Sequence, residues 1–327
     1  MRFDVLVCEV CKKVDSNLQR CAGCSVYYYC SRDHQAADWS THKPTCKQIS
    51  AARKKVEQEK AKADVARLEY GNFLIRSWRR QGIENALKEY LAILEDNRGD
   101  HQSARSFIPS LYIRLGQDQE AYDLIKWYQI KFKGVNPNDR KYRWGDPEEP
   151  FLGLKDEDVS EDCELFMGKF HQLGHSVNLW IIKFRLLQAC IALNTYKTTV
   201  YQPDGPVPTK EEILAFVKDK SNCPGNSIDR QPVVELVTGN NGALDEMERN
   251  ITTQLLTLFN SVKEYNPHIW KILVEPDVRA LSANPQPYSH GSRAEADLVF
   301  GQTYSAWAES PNALAGLRGW VKDVGQI

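Results

Sequence analysis

The chain has 327 residues, 42% of them hydrophobic, so it is long enough for two or three folded units with a large core. Its 42 Lys and Arg residues are balanced by 43 Asp and Glu residues, giving a formal net charge of −1 at neutral pH. This balance excludes the global basic field by which many proteins attract nucleic acid.

Eight potential zinc ligands lie within the first 46 residues. They form two Cys-x2-Cys pairs followed by two Cys/His pairs: Cys8 and Cys11, Cys21 and Cys24, Cys30 and His34, His42 and Cys46. Zinc takes four tetrahedral sulfur or nitrogen ligands, so this set predicts two sites. The alternative, reduced structural cysteines beside surface histidines, does not account for the spacing.

The size of this segment indicates what the metal does. So short a segment buries too little apolar surface to fold alone, and zinc supplies the missing free energy. Sites closed by four protein ligands leave no position for water or substrate. We therefore expect two structural zinc ions and no zinc catalysis.

The residues between the ligands resemble the MYND zinc finger over residues 8–46. The matching residues are Tyr29 to Gln35, Asp38, Trp39, Thr41 to Lys43 and Cys46. The resemblance implies interleaved sites: Cys8, Cys11, Cys30 and His34 hold one zinc, and Cys21, Cys24, His42 and Cys46 hold the other. The family usually has cysteine where this chain has His34, so both sites become three-cysteine, one-histidine sites.

The resemblance also implies a function. MYND fingers bind proline-containing peptides in a shallow groove, where an aromatic face and a side-chain amide receive an extended ligand. Trp39 and Gln35 match the family's groove residues. Ala22 replaces a serine that the family often has, which removes one hydrogen bond. Trp39 as a packing residue alone is the alternative.

Beyond the finger, residues 47–70 are rich in Ala, Lys, Glu and Arg and predict a charged helical connector. Residues 71–327 predict an all-helical domain. Ala86 with Tyr90, and Ala121 with Ile125, recur at a spacing close to the tetratricopeptide period and indicate tetratricopeptide-like hairpins near 83–132. A generic helical hairpin is the alternative.

The periodicity of apolar residues predicts helices near 84–95, 102–115, 118–132, 163–193, 209–219, 245–264, 293–308 and 311–321. Without a useful alternating strand pattern, the predicted class is mainly α: a small two-zinc finger followed by an all-α helical-hairpin body. The body also resembles that of longer fungal MYND proteins of undefined activity, in the residues Arg114 to Gly116, Glu120 to Asp123, Ile125 to Trp127 and Trp144 to Asp146. The resemblance implies an architecture and no chemistry.

Three observations bear on location. Thiolate ligands need a reducing compartment, which favours the cytoplasm or nucleus. Met1 to Val7 is too short for a secretory signal. The most apolar stretch, Val177 to Leu193, contains Lys183 and Arg185, and therefore predicts a buried helix instead of a membrane span.

One further histidine pair, His171 and His175, has the spacing that zinc proteases use, but the glutamate they require beside the first histidine is absent. We interpret the pair as structural.

The sequence therefore favours an intracellular adaptor that binds protein partners and is not an enzyme. A SET-related lysine methyltransferase is one alternative, since MYND fingers occur within SET domains, but no SET motif follows this finger. Direct binding of nucleic acid is the other. Residues 1–46 have six basic against five acidic side chains, without the basic helix of DNA-binding fingers.

Overall fold

The computed structural model describes residues 6–15, 17–59, 63–133, 150–167, 172–200, 208–238, 242–277, 281 and 287–323. They belong to two compact units, Met1–Leu111 and Tyr112–Ile327. The described residues form twelve α-helices and one two-stranded sheet, which confirms the mainly α class. The domain limits predicted at residues 46 and 70 both lie inside the first unit and stay predictions.

The first unit begins with a small antiparallel sheet, in which Gln19 pairs with Tyr29 and Arg20 with Tyr28. Its elements are β1 (Gln19–Arg20), β2 (Tyr28–Tyr29), α1 (Arg32–Gln58), α2 (Ala63–Ile75), α3 (Arg80–Asp96) and a 3-10 turn at Ala104–Ser106. Helix α4 (Ile108–Arg114) crosses the boundary between the units.

Helix α1 is a continuous element of 27 residues. Ser31 caps it by accepting a hydrogen bond from the His34 N–H at 3.2 Å. Pro44 lies inside the helix and removes one backbone hydrogen bond there. The helix nevertheless continues past Cys46, so the predicted connector begins as the second half of α1.

Helix α2 packs against both α1 and α3. The approach to α3 is close at Gly71, where a Cβ atom would collide with the ring of Tyr90. Buried Leu74, Ile83 and Ile93 complete this contact. The first unit thus has an apolar core of its own behind the zinc-ligand segment.

The second unit is helical throughout its described part. Its helices are α5 (Asp118–Lys133), α6 (Leu173–Val200), α7 (Lys210–Lys218), α8 (Val233–Thr238), α9 (Ala243–Tyr265), α10 (Ile269–Val274), α11 (Arg293–Glu309) and α12 (Ala313–Asp323). Helix α6 was predicted from about residue 163 but begins at Leu173, after a 3-10 turn at Glu164–Phe166. The sequence predicted the other helices except α8 and α10. Each of those two has six residues, too few for apolar periodicity to become visible.

Helix α6 is central and packs against α5, α8, α9, α11 and α12. Its Trp180 ring stacks on Trp307 at 5.3 Å and on Phe184 at 5.2 Å. The indole N–H donates to the Leu255 carbonyl at 3.2 Å, so the buried polar atom is satisfied. An aromatic cluster around one long helix therefore forms the core of this unit.

By length and composition, Leu173–Thr199 could cross a membrane, but 83% of its most apolar window is buried inside the protein. Lys183 donates to the carbonyls of Val159 and Glu161, both at 2.6 Å, and to the Gln254 side chain at 2.7 Å. The prediction of a buried helix is confirmed, and all three ammonium protons of its lysine have acceptors.

Of the predicted histidine pair, His171 lies outside the described residues. His175 is buried on α6, and its ring lies 5.8 Å from the ring of Tyr128.

Candidate metal centre

The two Cys-x2-Cys pairs lie in two turns of the same form. Lys12 N–H donates to the Cys8 carbonyl and Ser25 N–H to the Cys21 carbonyl, both at 2.9 Å. Lys12 and Ser25 have φ of 58° and 61°, the left-handed conformation that ends each turn. The two cysteine pairs are thus presented by equivalent backbone geometry.

The remaining ligands come from β2 and α1. Cys30 follows directly after β2, and His34 lies in the first turn of α1. His42 and Cys46 are four residues apart on α1 and share its buried face. One helix therefore contributes ligands to both clusters, which couples their positions.

The first cluster consists of Cys8, Cys11, Cys30 and His34, whose ligand atoms all lie within 4.8 Å of one another. Cys11 Sγ and Cys30 Sγ are 3.7 Å apart. His34 Nδ1 lies 3.4 Å from Cys8 Sγ and 3.1 Å from Cys30 Sγ. The structure brings together the four residues that the resemblance assigned to one zinc.

The second cluster consists of Cys21, Cys24, His42 and Cys46, again with all ligand atoms within 4.8 Å. Cys21 Sγ and Cys46 Sγ are 3.8 Å apart. His42 Nε2 lies 3.4 Å from Cys21 Sγ and 3.6 Å from Cys24 Sγ. This is the set assigned to the other zinc.

These separations test whether zinc fits. Tetrahedral geometry with Zn–S near 2.3 Å and Zn–N near 2.05 Å places two sulfurs about 3.8 Å apart, and a sulfur and a nitrogen about 3.5 Å apart. The observed sulfur pairs, at 3.7 and 3.8 Å, match the first value. The nitrogen–sulfur distances of 3.1–3.6 Å lie around the second. The two clusters are the ligand complement of two structural zinc ions.

The clusters differ in exposure. In the second, all four ligands are buried, from Cys24 at 0% to Cys46 at 5% exposed. In the first, Cys8 is buried, Cys30 and His34 are partly exposed, and Cys11 is exposed. The sequence could not have shown this difference, since both sets have three cysteines and one histidine.

Thiol acidity follows local contacts. Burial raises the pKa of Cys8, but hydrogen bonds from the backbone of Cys11 and Cys30 outweigh it and lower the pKa to about 6. Burial raises the pKa of the Cys24 thiol to about 12. Metal binding at neutral pH therefore has to displace a proton from Cys24.

Aromatic rings surround His42. Its ring centroid lies 4.1 Å from that of Tyr27, and Tyr29 and Trp39 lie edge-on at 6.1 and 6.0 Å. The Nδ1 atom of His42 is buried and has no hydrogen-bond partner among the residues that the structure describes. Ring packing, in place of the usual hydrogen-bonded partner, thus orients this histidine toward the cluster.

The two predicted groove residues lie on α1. Trp39 is 41% exposed, and Gln35, one turn earlier on the helix, is partly exposed. Their four-residue spacing places them on one face of α1. Ala22, at the position of the family serine, is also exposed.

Support of the finger from α3 and the residue before it could not be predicted from motif spacing. Arg79, just before α3, forms an ion pair with Glu9 at 2.5 Å, and its guanidinium lies 4.9 Å from the centre of the Tyr27 ring. The Tyr28 hydroxyl donates to the Gln81 side chain at 2.9 Å. These partners are more than 50 residues apart in sequence, beyond the reach of motif spacing.

Comparison with known proteins agrees with this geometry. The profile of the family described as MYND finger matches residues 8–46. SET domain and MYND-type zinc finger protein 6 from Schizosaccharomyces pombe is 41% identical over 46 residues, 14% of this chain and 10% of that protein. Egl nine homolog 1 from Homo sapiens is 46% identical over 39 residues, 12% of this chain and 9% of that protein.

Hypoxia-inducible factor prolyl hydroxylase from Caenorhabditis elegans is 42% identical over 50 residues, 15% of this chain and 7% of that protein. The chain thus spans a tenth or less of the length of these relatives. No solved structure matches the chain.

Proposed function

We propose that the MYND finger binds proline-containing peptide segments, and that the chain is an intracellular adaptor in a regulatory complex. The finger is a zinc-binding protein-interaction module with two Cys/His clusters. Clusters closed by four protein ligands hold a surface in shape and offer no position to a substrate. The proposal concerns which ligand that surface receives.

The exposure of Trp39 is the observation that carries the proposal. An aromatic side chain can receive a ligand only where its face is accessible to solvent. Tyr29, in the same finger, is only 1% exposed, whereas Trp39 is 41% exposed. Its edge-to-face contact with His42 holds the ring in place, so little rotational freedom is lost when a ligand packs on it.

Gln35 supplies the second element of such a surface. A side-chain amide can both donate to and accept from the backbone of an extended peptide. Polyproline-type segments keep their carbonyls solvated and their conformation preformed, so an aromatic face beside an amide suits them. Gln35 lies one helical turn from Trp39 on α1, close enough for one peptide to reach both.

The test uses the full chain, because Arg79 and Gln81 contact the finger from outside residues 8–46. Peptides are selected from a random library against the zinc-loaded protein. The variant is Trp39→Ala, and the matched control is Trp78→Ala, which removes a tryptophan 38% exposed in the same unit. Zinc content is measured for each protein.

We expect enrichment of proline-containing peptides by the wild type and by Trp78→Ala, and loss of binding of about tenfold or more in Trp39→Ala with two zinc ions retained. Equal binding by Trp39→Ala would show that Trp39 is a packing residue. Enrichment of peptides without proline would contradict the proposed ligand class.

The proposal gives the chain no catalytic step. The S. pombe relative carries SET in its name, but its match covers only 46 residues, 10% of that protein. Saturable binding of S-adenosylmethionine would favour the methyltransferase alternative over this proposal. A steep salt-dependent gel shift would favour the nucleic-acid alternative.

A further inference from the structure

In each of the two zinc clusters, two cysteine sulfurs lie close together at nearly the same distance. Cys11 Sγ and Cys30 Sγ are 3.7 Å apart in the first cluster, and Cys21 Sγ and Cys46 Sγ are 3.8 Å apart in the second. Within each pair, the two cysteines lie far apart in sequence, by 19 residues in the first cluster and 25 in the second. The two pairs have the same sulfur–sulfur geometry, so a difference in their reactivity has to come from their surroundings.

Those surroundings differ in access to solvent. Cys21 is 3% exposed and Cys46 5% exposed, so a dissolved reagent reaches them only after local opening of the finger. Cys11 is exposed and Cys30 partly exposed. Reactivity of thiolates toward oxidants follows thiolate character and exposure.

We propose that Cys11 and Cys30 are a redox modification site, which a hydroperoxide converts to a disulfide with loss of one of the two zinc ions. This inference does not depend on peptide binding. It assigns the first cluster a reversible role and leaves the second as the permanent structural site.

The reaction balances with the hydroperoxide as the two-electron oxidant. One thiolate attacks the terminal peroxide oxygen, the O–O bond breaks, and an alkoxide leaves, which gives a sulfenic acid. The second thiolate attacks the sulfenic sulfur, the S–S bond forms, and hydroxide leaves. Two thiolates become one disulfide, and the hydroperoxide becomes an alkoxide and a hydroxide, which take protons from water.

The geometry allows this bond. A disulfide has an S–S length near 2.05 Å, so the two sulfurs have to approach by about 1.7 Å. Cys11 lies in an exposed turn whose neighbours Val10 and Lys12 are also exposed, so the turn can move without displacing a core. The disulfide would leave only Cys8 and His34 as ligands, where structural zinc requires four.

The test uses the full chain loaded with two zinc ions and treated with hydrogen peroxide. Released zinc is followed with a colorimetric chelator, and disulfides are mapped by mass spectrometry after the free thiols are alkylated. We expect one zinc per chain in a fast phase, with a Cys11–Cys30 disulfide that a thiol reductant reverses. The second zinc should leave at a rate at least about tenfold lower, because its buried thiolates react only after local opening of the finger.

The matched variant is Cys11→His. An imidazole can ligate zinc but cannot form a disulfide, so this variant should still bind two zinc ions and lose the fast phase. If it fails to bind two, Cys30→His replaces it. Release of both ions at one rate, a disulfide at Cys8–Cys11 or Cys21–Cys46, or a fast phase that survives in the histidine variant would each overturn the proposal.

Discussion

At the scale of single residues, His34 is the position where this finger departs from its family. The structure places its Nδ1 atom 3.1 and 3.4 Å from two cysteine sulfurs, the separations that a shared zinc imposes. The Ser31 hydroxyl, which accepts from the His34 backbone N–H, fixes the start of the helix that carries it. His34 is therefore placed to act as a ligand in spite of its longer side chain.

The corresponding prediction concerns zinc content. His34→Ala should bind one zinc per chain under conditions where the wild type binds two, because three ligands hold structural zinc far more weakly than four. His34→Cys, which restores the family's usual ligand, should bind two. Metal analysis after dialysis measures both, and two zinc ions retained by His34→Ala would remove His34 from the ligand set.

A second prediction at this scale concerns pH. With pKa values of about 6 for Cys8 and about 12 for Cys24, the first is mostly thiolate and the second a thiol at neutral pH in the metal-free protein. Zinc holds both as thiolates, so binding releases protons and its affinity rises with pH and is lost on acidification. We expect about a tenfold rise per pH unit for each proton released between pH 6 and 8. Competition with a chelator at several pH values measures it, and a flat profile would contradict it.

At the scale of elements, the sequence predicted the longer helices of the second unit and missed the shortest ones, and it placed the start of α6 about ten residues too early. Helices α9 and α11 begin and end within two residues of their predicted limits, and in α9 an amphipathic stripe over several turns is visible in the sequence. The six-residue helices α8 and α10 were missed. Helices this short are stabilised by packing against the rest of the protein and carry no visible local pattern in the sequence.

The same distinction applies to the site. Ligand spacing, together with the family resemblance, was enough to group eight side chains into two clusters, and the structure brings both groups together. The contact of Arg79 with Glu9 and Tyr27 had no local signal, because these partners lie 70 and 52 residues away in sequence. Motifs encode what lies within one loop, whereas support from a distant helix depends on the fold.

This contact gives a prediction about stability. Glu9 is nearly buried in its pair with Arg79, and the guanidinium also covers the Tyr27 ring. Arg79→Ala should therefore lower the free energy of unfolding of the first unit by about 1–2 kcal/mol. Arg80→Ala is the control: it breaks a pair with Glu84 one turn away on α3, which is expected to contribute below about 0.5 kcal/mol.

The loss of stability in the two variants is measured by denaturant unfolding and by hydrogen exchange of the finger backbone. Equal losses of stability would show that Arg79 does not brace the finger.

At the scale of the whole molecule, the chain has two cores of different origin. The first unit depends on two zinc clusters together with the contact of α2 with α3. The second has a large aromatic and aliphatic core around α6, and its described residues form no cluster of metal ligands. Metal removal should therefore act on one unit and spare the other.

We expect a chelator to abolish hydrogen-exchange protection in residues 8–46 while helices of the second unit, α6 and α9 above all, keep theirs. Circular dichroism should show a partial loss of helix, mainly from the first half of α1. Simultaneous loss of protection in both units would mean that the chain unfolds as one cooperative body.

The contacts of Arg79 and Gln81 with the finger have a practical consequence for engineering. A graft cut at the limits of the family profile would stop at Cys46, halfway along α1, and would leave behind the arginine and the amide that brace Glu9 and Tyr28. A segment that keeps all of these contacts and the whole of α3 extends to Asp96, the last residue of that helix. Fusion reporters for this finger should carry that longer piece.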